Sequence, residues 1–388
     1  MMKQSIARIC ATLLFASVVA ASHSPALAQN VLRWASQGDA FTMDPHAQNE
    51  GQTLTFAQQI HEPLIERRPG DLSKIPALAL SWELTGPTTW EFKLREGVRF
   101  HEGQPFTADD VVFSLNRALA PTSDMKAIIG SIQDVVAVDD YTVRITTNGP
   151  NPILPDELTN IYIMSRAWAE EHDVQEPQDT ASGEETYAVR HTNGTGPFML
   201  ELREPDVRTV FVSNPDWWGL EHEEYKDLNV DRIVYTPIAN AATRVAALLS
   251  GELEFLLDPP VQDLSRIERS GMFDLQRAPE VRSLFLGMNA ARGELQSSSV
   301  KGKNPFADRR VREAMNLAVD VNAITSRIMR GQAKPAGFIV PPGVHGYLPD
   351  MDEPLPFDAD KAKQLLSEAG YPDGFDVRLD CPNDRYLN

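Results

Sequence analysis

The sequence predicts a mixed α/β or α+β fold that is divided into two or three domains. The chain has 388 residues, more than one hydrophobic core usually supports. Alternating runs typical of strands are interspersed with longer amphipathic segments typical of helices. These segments follow one another without a fixed period, so no internal repeat is predicted.

Most of the predicted strands lie in the first half of the chain. Residues 31–35 form a short apolar stretch, and residues 89–95 alternate strictly between apolar and polar side chains. Glu96-Gly97 is a turn signal, after which residues 98–100 are predicted to return as the partner strand.

A helix and a further strand are predicted next. Thr107 is the expected N-cap, because Asp109 and Asp110 in the following turn favour the positive end of a helix. The helix should extend to about Leu119. Residues 141–146 alternate again and are predicted to form another strand.

The second half is predicted to be richer in helix. Gly251, Gly331 and Gly370 each follow an amphipathic segment, where a glycine often ends a helix. Asp308 and Asp358 are predicted N-caps. The predicted helices cover 243–250, 308 to about 319, a following segment that ends at 330, and 359–369. The strand candidates among them cover 209–213, 230–235 and 283–289.

The composition excludes some classes of partner. Lys and Arg number 36 and Asp and Glu 55, which gives a formal net charge of -19. A nucleic-acid-binding protein needs a basic surface for phosphate contacts, so no nucleic-acid partner is expected. The same charge argues against docking on an anionic membrane surface.

The first 28 residues are typical of a secretory signal peptide. Lys3 and Arg8 supply the positive region, residues 9–21 the apolar run, and Ala26-Leu27-Ala28 a cleavage site. The apolar run is short for a membrane anchor. We therefore expect export to the periplasm, with cleavage after Ala28.

No catalytic or metal-binding motif is recognisable. The phosphate-binding, nucleophile-elbow and dinucleotide-binding patterns are absent from the sequence. His61-Glu62 and His222-Glu223 begin like a zinc-protease motif, but neither has the second histidine. Beyond the signal peptide Cys381 is the only cysteine, which excludes an intramolecular disulfide and a cysteine-based zinc site. We expect no enzyme activity, metal or cofactor, although a catalytic carboxylate pair among the many acidic residues stays open.

Several short motifs occur in a characteristic order. They are Thr42-Met43-Asp44-Pro45-His46, His61-Glu62-Pro63-Leu64-Ile65, and the segments 76–103, 105–114, 194–198, 214–219, 309–314 and 361–371. Each motif alone is weak. The ordered set behind a signal peptide resembles the extracytoplasmic solute-binding proteins of peptide-type ABC importers, family 5, which include the dipeptide- and oligopeptide-binding proteins. The resemblance covers nearly the whole mature chain.

The resemblance implies an α/β periplasmic-binding-protein fold, with two lobes that close on a ligand by a hinge. It implies that residues 29–61 and 190–281 form the first lobe and residues 62–189 an extra subdomain of that lobe. Residues 282–388 would form an incomplete second lobe, since members of the family continue beyond this point. The chain therefore resembles a member that is truncated at its C-terminus.

The same resemblance implies candidate ligand contacts. Arg385 lies where dipeptide-binding proteins place an arginine for the ligand carboxylate, although it is equally well read as a solvated arginine near the chain end. The segment 46–53 resembles a ligand-contacting loop, which makes Asn49, Glu50 and Gly51 candidates, with an ordinary polar loop as the alternative.

Three further residues are candidates with a structural alternative. Phe285 and Gly287 lie in a segment that resembles the first strand of the second lobe, and an apolar run of this kind is more often a core strand. Trp34 is able to stack on a ligand in the cleft, but a large aromatic residue in a first strand is more often part of the core.

The resemblance implies a receptor that binds dipeptides or short peptides as a monomer and delivers them to an ABC permease in the inner membrane. Contacts with the backbone and the termini of a peptide do not depend on side-chain identity, so many peptides would be accepted. An oligosaccharide, a metal chelate or an opine is the alternative ligand, because analogy of fold does not decide the solute. A secreted hydrolase is the less favoured alternative.

Overall fold

A parallel pair of strands sets the layout of the first part of the chain. In the computed structural model, Val31–Ser36 pairs in parallel with Arg232–Pro237, although about 200 residues separate them in sequence. The structure describes residues 30–222, 225, 228–278, 281–344 and 346–381. The chain divides after Pro237 into two compact units.

The regular elements alternate along the chain in the mixed order that the sequence predicts. The strands are β1 (Val31–Ser36), β2 (Ile65–Arg67), β3 (Lys74–Pro76), β4 (Ala79–Gly86), β5 (Thr89–Leu94), β6 (Ile132–Asp139), β7 (Thr142–Thr147), β8 (Phe198–Glu204), β9 (Arg208–Ser213), β10 (Arg232–Pro237) and β11 (Phe255–Leu256). The helices are α1 (Gly51–Ile60), α2 (Ala108–Ala118), α3 (Leu154–Glu157), α4 (Arg166–Glu171), α5 (Ala241–Ser250), α6 (Leu264–Ser270), α7 (Arg309–Leu317), α8 (Val321–Ala323) and α9 (Ala359–Glu368). Single 3₁₀ turns occupy Met125–Ala127, Leu158–Asn160, Tyr187–Val189, Trp218–Glu221, Pro305–Ala307 and Pro349–Met351.

One sheet of the first unit carries β1, β10, β9 and β8 side by side in that order. Strands β10 and β9 are antiparallel, with Tyr235 opposite Thr209, and β9 and β8 form a hairpin. Since β9 runs against β10, the turn between β8 and β9 lies at the edge where β1 and β10 end. We call this edge, together with residues 37–50 and the first turn of α1, the carboxyl edge of the sheet.

An aromatic cluster packs α1 against this sheet. Phe56 of α1 makes edge-to-face contacts with Phe211 and Tyr235, at centroid distances of 5.2 and 4.9 Å. Trp34 of β1 lies 5.9 Å from Phe56 and 4.8 Å from Tyr235 in the same geometry. Aromatic pairs of this kind contribute about 1 kcal/mol each beyond their burial. The cluster fixes the axis of α1, and hence the place where its N-terminus lies.

A second sheet of the first unit is antiparallel throughout, with the order β4-β5-β7-β6. The strict alternation predicted for β5 is confirmed, because Phe92 and Leu94 are buried while Lys93 faces water. The predicted partner strand at 98–100 is wrong, since Arg99 makes only an isolated bridge with Pro105. Both edges of β5 are occupied, by β4 on one side and β7 on the other, so no edge is left for residues 98–100.

Local capping signals correctly predicted where α2, α7 and α9 begin. The backbone N–H of Thr107 donates to Asp110 Oδ2 over 2.9 Å at the start of α2, as expected for a capping pair. Asp308 and Asp358 accept from backbone N–H groups at the starts of α7 and α9. Gly251 follows α5 with φ of +80°, in the left-handed region that favours glycine at a helix end.

The unit that follows Pro237 buries mostly aliphatic side chains. One of its clusters comprises Leu295, Phe306, Val311 and Tyr371, and α5 and α6 also bury side chains. The helix predicted to end at Arg330 is shorter, with α8 followed by a single π-helical turn at Ile324–Ile328.

The strand predicted at 283–289 is wrong, because this segment has no ladder partner among the described residues. A strand is stable only when its backbone groups are paired, and the apolar pattern of the segment does not supply a partner. Its side chains Leu284, Phe285 and Leu286 are exposed instead.

The predicted lobe boundaries stay a prediction. The predicted signal peptide and its predicted cleavage site lie outside the described residues. Within the described ranges, no helix combines the length and the apolar character that crossing a membrane would require.

Candidate ligand-binding edge of the first unit

The three loop candidates lie together at the N-terminus of α1. Glu50 is the N-cap, and its Oε2 accepts from the backbone N–H groups of Gln52 and Thr53, both over 3.0 Å. Asn49 and Gly51 flank it and are exposed. They lie beyond the carboxyl ends of the parallel strands β1 and β10. Ligands of open α/β sheets bind at such an edge, so the position agrees with a binding role.

The cap determines which charge this edge attracts. A free helix N-terminus attracts anions through its unpaired N–H groups and its dipole. Here the carboxylate of Glu50 already occupies two of those groups. A carboxylate accepts up to about four hydrogen bonds. Glu50 therefore retains the capacity to accept from a ligand ammonium group, whereas a ligand carboxylate would be repelled.

One buried ion pair anchors the beginning of the 37–50 segment. Nη1 of Arg203, on β8, donates to both carboxylate oxygens of Asp39 over 2.8 and 2.7 Å. Both side chains are almost fully buried. The same carboxylate accepts from the backbone N–H of Asp206, in the β8–β9 turn, over 2.7 Å. Asp39 thereby joins the segment to that turn.

A second buried ion pair anchors the middle of the segment. The guanidinium of Arg117, on α2, grips Asp44 with two parallel bonds of 2.6 and 2.7 Å, and neither side chain is exposed. Arg117 also donates to the carbonyl oxygens of Val174 and Glu176. A bidentate arginine–carboxylate pair fixes both distance and orientation. The segment is thus fastened to α2 and to the chain that follows α4.

His46 completes this second cluster as a neutral ring. Its Nε2 lies 2.8 Å from the carbonyl oxygen of Tyr162, which only accepts, so Nε2 carries the proton. Its Nδ1 then accepts from Arg117 over 3.1 Å. Burial and the charge of Arg117 lower the pKa of His46 to about 4. Burial alone would raise the pKa of Asp44, but Arg117 outweighs it and the pKa falls to about 2.

A short polar chain connects the ends of β1 and β10 to α1. The hydroxyl of Ser36 donates to Gln52 Oε1 over 3.0 Å, and Tyr235 Oη contacts both Ser36 Oγ and the carbonyl oxygen of Gly38. With the two ion pairs, these contacts fix the relative positions of the segment 37–50 and the first turn of α1. Such preorganisation reduces the entropy that is lost on binding.

Trp34 lies under this edge as a core residue. It is 5% exposed and packs between the rings of Phe56 and Tyr235. Its surroundings are those of a core residue, which was the alternative interpretation of Trp34. A role in stacking on a ligand stays a prediction.

The candidates predicted for the second lobe do not belong to the unit that carries this edge. Phe285 and Gly287 belong to the exposed segment of the unit that follows Pro237. Arg385 lies outside the described residues. No group of three or more potential metal ligands is present in the described ranges.

Sequence reasoning missed the anchoring residues. Asp44 belongs to the first of the family motifs, but its partner Arg117 was not predicted. The pair Asp39 and Arg203 was not predicted either. The sequence of α2 carries no clear signal, because Arg117 falls beside Ser114 on the more polar side of the helix, and both are buried only in the folded chain. A buried arginine requires a buried acid, but its burial is not visible in the local pattern.

A family profile identifies the class of this protein. The profile of the bacterial extracellular solute-binding proteins, family 5 Middle, matches residues 74–387. The chain belongs to this family. The members are solute-binding proteins rather than enzymes, and the resemblance drawn from the motifs is confirmed.

Individual relatives support the assignment. Heme-binding protein A of Haemophilus influenzae is 30% identical over 361 residues, which cover 85% of this chain and 61% of the relative. The dipeptide-binding protein of Escherichia coli is 27% identical, with 94% of this chain and 68% of the relative covered. The chain thus spans about two thirds of the length of these relatives, or slightly less.

Solved structures confirm the predicted fold class. The periplasmic binding protein DppA from Helicobacter pylori, in complex with the peptide STSA, has a TM-score of 0.73 at 27% identity and covers 89% of this chain and 67% of its own. A Pseudoalteromonas dipeptide-binding protein in complex with Met-Leu has the same TM-score at 25% identity, covering 89% of this chain and 68% of its own.

Proposed function

We propose that this protein is the substrate-binding component of an ABC importer and that it captures dipeptides or short peptides in the periplasm. It would deliver them as a monomer to a permease in the inner membrane, after export and cleavage at Ala28. The observation that carries the proposal is the anchored carboxyl edge, where Glu50 caps α1 beside the exposed Asn49 and Gly51.

Glu50 is the proposed acceptor for the amino group of the peptide. Its carboxylate is held by two backbone N–H groups, so it is positioned before the ligand arrives. Arg385 is the proposed partner of the peptide carboxylate, with Phe285 and Gly287 as further contacts from the second lobe. Residues 29–61 with 190–281, 62–189 and 282–388 remain the proposed first lobe, its subdomain and the second lobe.

The relatives leave a second class of solute to be tested. One has a name that specifies heme, others are named as glutathione-binding proteins, and one similar structure contains agropinic acid. Glutathione is itself a short peptide with a free amino group, and agropinic acid is an opine. The ligand panel therefore needs heme and an opine beside peptides.

The experiment is thermal unfolding of the purified protein with Ala-Phe, glutathione, haemin, an opine and an oligosaccharide. A ligand that binds only the folded state, at a hundred times its Kd, raises the free energy of unfolding by about 2.7 kcal/mol. We expect a rise of the melting temperature with the peptides. A rise with haemin or the opine alone would contradict the peptide assignment, and no rise with any ligand would contradict the receptor role.

A matched pair of variants tests the role of Glu50. Glu50→Gln should weaken Ala-Phe binding by at least tenfold and leave N-acetyl-Ala-Phe, which has no ammonium group, unchanged. Asp308→Asn alters another helix cap, at α7, and should not change either affinity. An equal loss for both peptides would assign Glu50 a purely structural role.

A further inference from the structure

Phe41 is an unusual residue within the anchored segment. Its side chain is 67% exposed, whereas its neighbours Ala40 and Thr42 are buried. A single exposed apolar side chain is common on protein surfaces and by itself indicates nothing. Here the position of the side chain, rather than its exposure alone, carries the argument.

The backbone of Phe41 is held on both sides. Asp39, two residues before it, is paired with Arg203, and Asp44, three residues after it, is paired with Arg117. Its own N–H donates to Thr53 Oγ1, in the first turn of α1, over 3.3 Å. The ring is therefore presented to solvent by a fixed backbone and not by a loosely tethered loop.

These contacts place Phe41 beside the proposed acceptor of the peptide amino group. Thr53 accepts from the N–H of Phe41, and its own N–H donates to the carboxylate of Glu50. The exposed ring and the carboxylate thus flank the same helical turn, at the edge of the sheet where ligands of open α/β sheets bind.

A second exposed apolar side chain lies on the neighbouring turn. Val207 is 59% exposed and follows Asp206, whose N–H donates to the Asp39 carboxylate. Two loops that meet at one buried ion pair therefore each present an apolar side chain at the carboxyl edge.

We propose that Phe41, assisted by Val207, is a specificity-determining contact that receives an apolar or aromatic side chain of the bound peptide. The inference rests on the proposed function, because it assumes that a peptide binds at this edge. The charged groups of a peptide bind independently of side-chain identity, whereas the Phe41 ring favours one class of side chain through burial and aromatic stacking. The receptor would then accept many peptides but rank them by apolar character.

The test compares two peptides that differ in one ring. The wild-type protein, Phe41→Ala, Val207→Ala and Leu84→Ala are titrated calorimetrically with Ala-Phe and with Ala-Ala. Leu84 is the matched control, since it is 51% exposed but lies on β4 of the other sheet. Phe41→Ala should weaken Ala-Phe about tenfold and Ala-Ala by less than about threefold. Val207→Ala should have the same selectivity with a smaller effect, and Leu84→Ala none.

The possible outcomes separate this inference from the proposed function. If the wild-type protein binds both peptides and Phe41→Ala changes neither affinity, the specificity role is overturned while the receptor stands. The same conclusion follows if transport falls but both affinities are unchanged, since Phe41 would then contact the importer. If the wild-type protein binds neither peptide, the proposed function fails and the inference with it. A selective loss for Ala-Phe supports both.

Discussion

The unit up to Pro237 buries large aromatic residues and charged groups together, whereas the described part of the unit after it buries mostly aliphatic side chains and carries exposed ion pairs. In the first unit Phe56, Phe92, Phe211 and Trp168 are fully buried. In the second, Phe285 and neighbouring apolar residues are exposed. The ion pair Arg117–Asp44 of the first unit is inaccessible to solvent, whereas Arg277–Glu268 of the second unit is half exposed on both sides.

The difference shows which part of the molecule fixes the positions of its residues most tightly. A buried ion pair tolerates little displacement, because each charge must keep its partner in a medium of low dielectric. The first unit uses such pairs to hold the segment that carries Glu50 and Phe41. In the described part of the second unit, distant segments are joined by exposed hydrogen bonds, such as the one from Arg310 on α7 to the carbonyl oxygen of Glu368 on α9. Binding residues that must be ready before the ligand arrives are expected in the first unit.

The largest predicted effect comes from breaking the buried pair. Arg117→Met leaves the Asp44 carboxylate buried without its partner and should lower the free energy of unfolding by about 3–5 kcal/mol. All six tryptophans precede Pro237, so tryptophan fluorescence in a denaturant titration reports the first unit alone. Arg277→Met, which breaks an exposed pair of the second unit, should cost no more than about 1 kcal/mol, measured by hydrogen exchange of α6, which carries its partner Glu268. Comparable losses in the two variants would remove the distinction between the units.

Mild acid should destabilise the first unit more than the second. Burial lowers the pKa of His46, His61 and His101 to about 4, 3 and 4, against about 6.5 in the unfolded chain. The unfolded state therefore binds protons that the folded state does not. The stability from these groups is complete above pH 6.5 and is lost as the pH falls towards 4. The first unit should lose several kcal/mol over this range, read by tryptophan fluorescence.

The second unit contains one histidine, His345, whereas the first unit buries three histidines whose pKa values are lowered. The protection factors of α7 and α9 against hydrogen exchange, which are corrected for the pH dependence of the intrinsic exchange rate, should therefore change less with pH than the fluorescence of the first unit. Parallel changes in both probes would show that the two units unfold together and would contradict separate titration.

A buried acid in the first unit should show the opposite dependence on pH. Glu62 accepts from the indole N–H groups of Trp217 and Trp218, and burial raises its pKa to about 7. The folded state holds this proton more tightly than the unfolded state does. Its contribution is complete below about pH 4.5 and is lost as the pH rises through 7.

Glu62→Gln should therefore gain stability relative to the wild-type protein between pH 4.5 and 7, by about 3 kcal/mol. Urea titrations at a series of pH values measure this difference. Glu102→Gln is the control, because Glu102 also accepts from an indole N–H, that of Trp168, but is exposed. If the free energies of unfolding of Glu62→Gln and the wild-type protein change in parallel with pH, the raised pKa of Glu62 is refuted.

The smallest effect is expected at the exposed segment. Phe285→Ala should change the free energy of unfolding by no more than about 0.5 kcal/mol, since the ring is 69% exposed. Phe306→Ala, which truncates a buried side chain of the same unit, should cost several times more. Hydrogen exchange of α7 and α9 measures both variants, and a large loss at Phe285 would mean that this segment is packed in solution.

The comparison also explains what could be predicted from the sequence. Helix ends followed from local residues such as Asp308 and Gly251, because caps act within one turn. The strands β5 and β7 were predicted by alternation and have neighbours to pair with. Residues 283–289 have a similar apolar signal without a partner, and pairing depends on distant chain that a local pattern does not reveal.

The residues of the candidate site were likewise predictable only where they lie close together in the sequence. Motif resemblance located Glu50 and its neighbours, since they lie in one short segment. The anchors Arg117 and Arg203 are 73 and 164 residues away from the acids they bind, and only the folded chain brings them together. Phe41 was missed because its exposure is a property of the anchored backbone.

Hydrogen exchange of the protein with and without saturating Ala-Phe tests the central claim most directly. The account predicts that exchange slows at residues 38–53, around the first turn of α1, with a smaller change over the β4-β5-β7-β6 sheet. Saturable binding that leaves residues 38–53 unprotected would contradict the assignment of the carboxyl edge as the binding surface.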